Sequence, residues 1–249
     1  MTTEFLFLAF GLFLLTALLY SSVGHAGASG YLAIMALLSF PVDSIKGTSL
    51  VLNILVASIG TYRFLKAGYF DKKVFLTFAL ASIPIAFLGG AIVVDPRVFK
   101  IIAGVFLMLS AVLLLTKQYL TKQNMDEIRP IKLLPGLTIG AIIGFISGLI
   151  GVGGGVFLSP IMILMNWTTV KKASGVAALF ILCNSVTGLL GHLSRLQKLD
   201  SHIIYWAVAV ILGGLIGSHL GTVKFSNKVI LTILALVLLS AGYKFVFVG

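Results

Sequence analysis

Long apolar runs constrain the fold of this chain more than any other feature. Eight runs are long enough to cross a bilayer, which takes about 20 helical residues at a rise of about 1.5 Å per residue. They cover residues 5–22, 45–62, 74–94, 98–116, 134–150, 173–191, 203–222 and 228–247. With 59% hydrophobic and 10% charged residues, the chain has more apolar surface than a soluble core could enclose. The sequence predicts an all-α polytopic membrane protein with lipid as its surroundings.

Two further apolar stretches, residues 29–40 and 155–167, are too short to span a bilayer. Each follows a glycine-rich stretch, which we call the first break (residues 23–27) and the second break (residues 151–155). Irregular backbone at membrane depth must face protein or a water-filled cavity rather than lipid. We therefore expect two short half-helices, each following a glycine-rich break, in addition to the eight long helices.

The order of a long run, a glycine break, a short segment and three long runs occurs twice. A shift of 127 residues places Gly24 on Gly151 and Met35 on Met162. This repetition predicts two homologous halves. Because the breaks hold equivalent places in the halves, we expect them to meet at the interface between halves, near the bilayer midplane.

The hydrophilic stretch 117–132 is the natural joint, which gives a first membrane repeat at 1–125 and a second at 126–249. If the short segments do not cross the membrane, the halves are parallel and the basic residues divide 11 to 7 between the faces. If they do cross, the halves are inverted and the division is 12 to 6. The positive-inside rule favours inverted repeats by this small margin, with both termini outside and the joint cytoplasmic.

The second break is the most informative segment for function. Gly151, Gly153, Gly154 and Gly155 would melt a helix, at about 1 kcal/mol each relative to alanine. Glycine lets a ligand approach the backbone closely, and a helix starting near Val156 would direct its positive end into the break. This pattern favours an anion site. Close helix packing through small residues is the alternative interpretation.

The first break has the same place in its half but different chemistry. Ser22, Gly24, His25, Gly27 and Ser29 combine glycines with hydroxyl groups and a histidine. An intramembrane histidine is costly and suggests a function. Because imidazole titrates near neutral pH, His25 could bind an anion when protonated or carry a co-transported proton. A neutral histidine bonded to a neighbouring carbonyl is the competing interpretation.

Polar side chains within the long runs extend this candidate site. Asn53 and Asn184 are costly to bury without hydrogen bonds, so they either face a substrate or join helices. All seven acidic residues lie at the ends of runs or in loops. A site with many backbone donors and no buried acid favours an anionic substrate over a cation.

The excess of basic residues does not indicate nucleic acid as a partner. The formal charge of +11 comes from Lys and Arg in short gaps between apolar runs, where they set orientation and contact lipid headgroups. The single cysteine, Cys183, excludes an internal disulfide. The sequence has no P-loop, so we expect a transporter driven by an ion, potential or substrate gradient, with no cofactor and no enzymatic activity.

The second break followed by Pro160, the repeated module and the number of spans resemble the sulfite exporter TauE/SafE family over essentially the whole chain. The resemblance implies a transporter of sulfite, organosulfonates or related sulfur oxyanions across the bacterial inner membrane. The first break departs from the family pattern, because His25-Ala26-Gly27 stands in place of the usual glycine triplet.

Two other functions remain open on the sequence. Gly27-Ala28-Ser29-Gly30 matches the GxSG motif of rhomboid intramembrane proteases, with His192 or His219 as a candidate base. The motif is short and lies early in the chain, and rhomboids lack the two-half duplication. An anion channel is the second alternative, which saturable exchange of substrates would separate from a transporter.

Overall fold

A computed structural model describes residues 3–22, 25–120, 128–193, 199–220 and 227–248, and within these ranges all regular structure is helical. Gly24 and the predicted boundary between residues 125 and 126 lie outside the described residues. The helices are α1 (Thr3–Ser22), α2 (Ala28–Leu37), α3 (Val42–Lys66), α4 (Lys72–Ala91), α5 (Pro96–Leu120), α6 (Leu133–Ile150), α7 (Gly155–Leu164), α8 (Val170–Leu193), α9 (Ile203–Leu220) and α10 (Asn227–Tyr243), followed by a π-helical turn at Lys244–Val248.

Each predicted run corresponds to one helix, and both short segments form the expected ten-residue helices, α2 and α7. Six helices (α1, α3, α4, α5, α6 and α8) are long and apolar enough to cross a membrane. In α9 and α10 the described apolar stretches, Ile203–His219 and Leu238–Val248, are shorter. The protein is therefore a multi-pass helical membrane protein.

Local sequence explains where several helices begin and end. The Asp71 carboxylate caps α4 by accepting the N–H groups of Lys73 and Val74, each at 3.1 Å. The buried Lys46 ammonium donates to the carbonyl of Gly90 at 2.9 Å and of Ile92 at 3.0 Å, at the other end of α4. A cation at a helix C-terminus satisfies its last carbonyls and opposes the negative end of its dipole.

The first helix of each half packs against the fourth helix of the other half. Gly140 of α6 lies directly against the backbone of Phe78 in α4, and Gly217 of α9 lies against the backbone of Leu18 in α1. Both contacts are too close for a side chain, so these glycines serve helix packing. This exchange interlocks the halves.

Two long helices, α3 and α8, cross the centre of the molecule side by side in opposite directions. Gly47 near the start of α3 contacts His192 near the end of α8. At the other end, Gly175 near the start of α8 lies against the Tyr69 carbonyl just beyond α3. The two breaks lie beside this central pair, so α3 and α8 supply most of the side chains around them.

Candidate functional site

The two glycine breaks meet at Ser49 on α3. The Ser49 hydroxyl oxygen lies 2.8 Å from the carbonyl oxygen of Gly151 in the second break. It lies 3.3 Å from the carbonyl oxygen of Ala28, the residue directly after the first break. Ser49 is fully buried. Ser49 thus links the second break to the start of α2, directly after the first break, and the meeting of the breaks near the bilayer midplane stays a prediction.

The second break follows a backbone path that glycine alone adopts readily. Gly151, Gly153 and Gly154 have φ values of 93°, 71° and 77°, in the left-handed region. Ordinary contacts of a Cβ atom are at least 3.4 Å long. A Cβ atom on Gly153 would lie only 2.4 Å from Asn53 Nδ2 and 2.8 Å from Ser185 Oγ, so a side chain does not fit there. The break therefore presents bare backbone to polar side chains of α3 and α8.

Several backbone donors at this break have no acceptor within the described part of the chain. They are the N–H groups of Gly153, Gly154, Gly155 and Val156, at the start of α7, where Gly154 forms the N-cap without a side-chain hydrogen bond. All four residues are buried. A buried donor without an acceptor costs about 1–3 kcal/mol, so such groups are normally paired. Together with the positive end of α7, they form a donor cluster suited to an anion.

Asn53 adds a polar side chain beside this cluster. It is fully buried, its Nδ2 donates to Ser185 Oγ at 2.8 Å, and its Oδ1 has no hydrogen-bond partner. Exchanging the two ends of the amide would let Ser185 donate to Oδ1 and turn Nδ2 toward the unpaired side. Asn53 can therefore present either a donor or an acceptor at the second break while it keeps a hydrogen bond with Ser185.

Two tyrosines form hydrogen bonds at the first break and at the start of α2. The Tyr31 hydroxyl donates to the Ala26 carbonyl at 2.7 Å, and the Tyr20 hydroxyl lies 2.9 Å from Ser29 Oγ. Gly27 forms the N-cap of α2 with φ 102° and no side-chain hydrogen bond. The hydroxyl group that a rhomboid-like protease would use as nucleophile thus has a tyrosine, rather than a histidine, as its hydrogen-bond partner.

A cavity of about 560 Å³ reaches the first break from one face of the protein. Ser22 and His25 line its inner part, and Arg63 and Lys171 line it near the end of α3 and the start of α8. Lys171 is exposed, so this end is the opening. No Asp or Glu is among the described residues that line the cavity. Ala57 lines its deep end, and Asn53 lies one helical turn further along α3.

The opposite end of α3 is closed by packing. The Thr48 hydroxyl accepts the Asp200 N–H at 2.9 Å, and the Asp200 carboxylate accepts the Trp206 indole N–H at 2.8 Å. Gly47 lies so close to His192 that a Cβ atom there would be 2.5 Å from the ring Nε2. The cavity therefore reaches the first break from one face, and the described contacts of Gly47, Thr48 and Asp200 pack the opposite end of α3.

The structure brings most of the predicted site residues together. Ser22 and His25 line the cavity, Gly27 and Ser29 start α2, and Asn53 faces the second break. Asn184 does not join them, because its Oδ1 accepts from Ser82 Oγ and its Nδ2 donates to the Phe180 carbonyl at 2.8 Å. Asn184 joins α8 to α4, and its amide oxygen and nitrogen each form a hydrogen bond there.

Three serines beside the breaks are not among the predicted site residues. Ser49 bridges the breaks, Ser185 holds Asn53, and the buried Ser147 Oγ lies beside Gly154. One signal was present for Ser49, because it precedes Asn53 by four residues and so shares its helix face. The local pattern carried no corresponding signal for Ser147.

Residues 8–245 match the protein family described as "Sulfite exporter TauE/SafE". It is 38% identical over 247 residues to a probable membrane transporter protein of Sinorhizobium fredii, covering 98% of this chain and 99% of the relative. A probable membrane transporter protein of Bacillus subtilis is 26% identical over 82% of this chain and 80% of its own. A probable membrane transporter protein of Methanocaldococcus jannaschii is 30% identical over 61% of this chain and 58% of its own length. No solved structure matches the chain.

Proposed function

Because the chain belongs to the sulfite exporter TauE/SafE family and is a membrane transporter, we propose that it exports a small anion by secondary transport. The substrate class is sulfite, an organosulfonate or a related sulfur oxyanion, and the membrane is the bacterial inner membrane. Substrate and proton are its transported partners, and no cofactor is involved. The preference for an anion and the coupling to protons rest on the chemistry of the two breaks and the cavity, whereas the substrate class and the membrane rest on the family.

The donor cluster of the second break carries the proposal. Four buried N–H groups at the start of α7 have no acceptor within the described chain, and an oxyanion supplies several acceptor oxygens. A cation would meet the positive end of α7 instead, and the described cavity lining contains no carboxylate to bind it. The arrangement therefore selects for negative charge.

The one-sided cavity supports a transporter over an anion channel. It opens on the face of Arg63 and Lys171, whereas the Thr48–Asp200 contact closes the other end of α3. A channel needs a path that is open to both faces at once. Alternating access instead needs a site that faces each side in turn, and this geometry corresponds to one of its two states.

His25 is the residue that we propose for proton coupling. It lines the cavity, and its equivalent in the second half, Val152, cannot titrate. A protonated imidazole near the start of α2 adds a full positive charge to the partial charge of the helix end. Proton and anion then favour each other's binding, which is the thermodynamic requirement for symport.

We further propose inverted repeats with a cytoplasmic joint, in which eight long helices cross the membrane and the two short helices complete a fifth crossing in each half. The antiparallel packing of α3 and α8, which hold equivalent places in the two halves, supports inversion. A cysteine at Gln123, in a background in which Cys183 is replaced, should resist impermeant thiol reagents in intact cells and react in opened membranes. Labelling from outside the intact cell would contradict this topology.

Transport itself is tested with purified protein in proteoliposomes. We expect saturable uptake of sulfite or small organosulfonates and counter-substrate exchange, with little uptake of sulfate or simple carboxylates. Protein-free liposomes and the Gly154→Val variant serve as controls. Uptake that fails to saturate would favour a channel, and the absence of uptake of any sulfur oxyanion would refute the substrate class.

A further inference from the structure

Two cations at the opening of the cavity have no acidic partner among the described residues. Arg63 is half-buried near the end of α3, and Lys171 is exposed at the start of α8. Within the described ranges the one ion pair joins His202 to Asp200, at 3.8 Å. Arg63 and Lys171 therefore keep their full charge available to the cavity, which both of them line.

Both cations are positioned by neighbouring groups. The Lys171 ammonium lies 3.3 Å from the Tyr69 hydroxyl and 5.0 Å from the centre of the Tyr69 ring. The Arg63 guanidinium lies 3.5 Å from the Leu215 carbonyl. The Tyr69 backbone packs against Gly175 of α8 without room for a side chain, which fixes the turn after α3 against α8. Arg63 and Lys171 thus both lie near the contact between the end of α3 and the start of α8.

We propose that Arg63 and Lys171 form an anion-capture site, which holds an oxyanion at the opening of the cavity before it passes inward to the breaks. The proposal rests on the proposed transport function and adds a second binding position on the same path. The planar guanidinium can bind two oxygens of an oxyanion at once, and the ammonium adds a mobile point charge.

The walls of the cavity strengthen this attraction. The lining of the cavity also includes the apolar side chains of Val56, Phe64 and Ala178. Apolar walls screen charge poorly, so a cleft lined by one sign of charge concentrates ions of the other sign. Capture therefore raises the rate at which substrate enters from this face, and added salt weakens it.

The test compares neutral variants of the lining cations with neutral variants of neighbouring cations. Lys66 and Lys172 are exposed, and neither lines the cavity. We expect Arg63→Gln and Lys171→Gln each to raise the KM for sulfite entering from the cavity face by about 3–10-fold, with Vmax nearly unchanged. Lys66→Gln and Lys172→Gln should leave KM within about twofold, because isolated surface charges contribute little.

Vesicles of both orientations and two salt concentrations complete the design. The KM increase should occur on one face alone, and it should shrink at high ionic strength, where the wild-type attraction is itself screened. Equal KM changes in Lys171→Gln and Lys172→Gln would overturn the capture site while leaving transport intact. A KM increase on both faces would also overturn it.

Binding of sulfite to the purified protein, measured by calorimetry, separates this proposal from the proposed function. Salt-sensitive binding that falls in Arg63→Gln/Lys171→Gln but persists in Lys66→Gln/Lys172→Gln supports capture even if no flux is found. Identical binding in both double variants refutes capture even if flux is found. Circular dichroism of each variant confirms that binding is compared between folded proteins.

Discussion

The two glycine breaks occupy equivalent places in the two halves, yet they are built from different chemistry. The second break is bare backbone, with left-handed glycines at 151, 153 and 154 packed among side chains of other helices. In the first break, Gly27 is the one described glycine with a positive φ, and Tyr31 and Ser49 bind carbonyls beside it. Both short helices begin with buried N–H groups that have no acceptor among the described residues, and these include Ala28, Ser29 and Gly30 at the start of α2. The first break differs in that hydroxyl groups also bind carbonyls beside it.

The two breaks also differ in their access to the cavity. The second break supplies N–H donors but does not line the cavity, whereas the first break brings His25 to the cavity and carries the group that can titrate. Because both breaks contact Ser49, a shift of α3 would act on both at once. The comparison predicts that substitutions in the second break affect anion binding and substitutions in the first affect pH dependence.

The largest effect is expected at Gly154. A Cβ atom there would lie 2.5 Å from Ile143 and 3.1 Å from Phe180, and φ is 77°. Losing two hydrogen bonds to an anion, at about 1.5–3 kcal/mol each, would lower affinity by more than about 100-fold. We expect flux in Gly154→Ala and Gly154→Val proteoliposomes to collapse before thermal stability does.

Gly68 provides the matched control for backbone strain. Its φ is 73°, close to that of Gly154, but a Cβ atom there would have no neighbour within 4 Å. Gly68→Ala therefore carries the same strain of about 1–2 kcal/mol without a clash and should transport normally. If flux in Gly154→Ala falls only as much as the amount of folded protein, the second break serves helix packing and is not an anion site.

The next largest effect is expected at Ser49, where the breaks meet. Ser49→Ala removes the hydroxyl partner of two buried carbonyls, at a cost of about 1–3 kcal/mol. We expect lower flux per folded molecule, because the Ser49 hydroxyl joins the second break to the start of α2. Ser49→Thr keeps the hydroxyl and should restore flux. The exposed Ser58, which bonds the Ile54 carbonyl on the same helix, is the control, and an equal loss in Ser58→Ala would refute the bridging role.

A smaller effect, on pH dependence rather than on maximal flux, is expected at His25. Protonation adds positive charge at the first break, so wild-type flux should rise as pH falls. His25→Gln retains a polar side chain but cannot be protonated, so its flux should vary little between about pH 5 and 8. Parallel profiles for the two proteins would exclude coupling through His25.

The smallest effect on flux is expected at Asn184. Its side chain bonds α8 to α4 and marks where the site ends and helix packing begins. Asn184→Ala removes hydrogen bonds to Ser82 and Phe180 and should cost about 1–3 kcal/mol in the free energy of unfolding. Flux per folded molecule should not change. Ser185→Ala, one residue further along, should instead lower flux, because Ser185 holds Asn53 at the second break. Equal flux losses in the two variants would contradict this boundary of the site.

The sequence by itself determined the helices and the places where they are interrupted. Apolar runs of membrane length formed helices within a few residues of their predicted limits, and the two short segments became α2 and α7. These features depend on local composition, since helix length follows bilayer thickness and glycine weakens a helix wherever it stands. The same local logic identified the glycines and His25.

The tertiary structure alone decided which polar residues face the breaks. Asn53 and Asn184 are both buried asparagines within apolar helices, yet one lies at the second break and the other bonds α4. Lys46, at the start of α3, caps the far end of α4 instead of reaching the membrane surface. These outcomes depend on which helix lies opposite each residue, and that is fixed by the exchange of helices between halves, which local sequence does not encode.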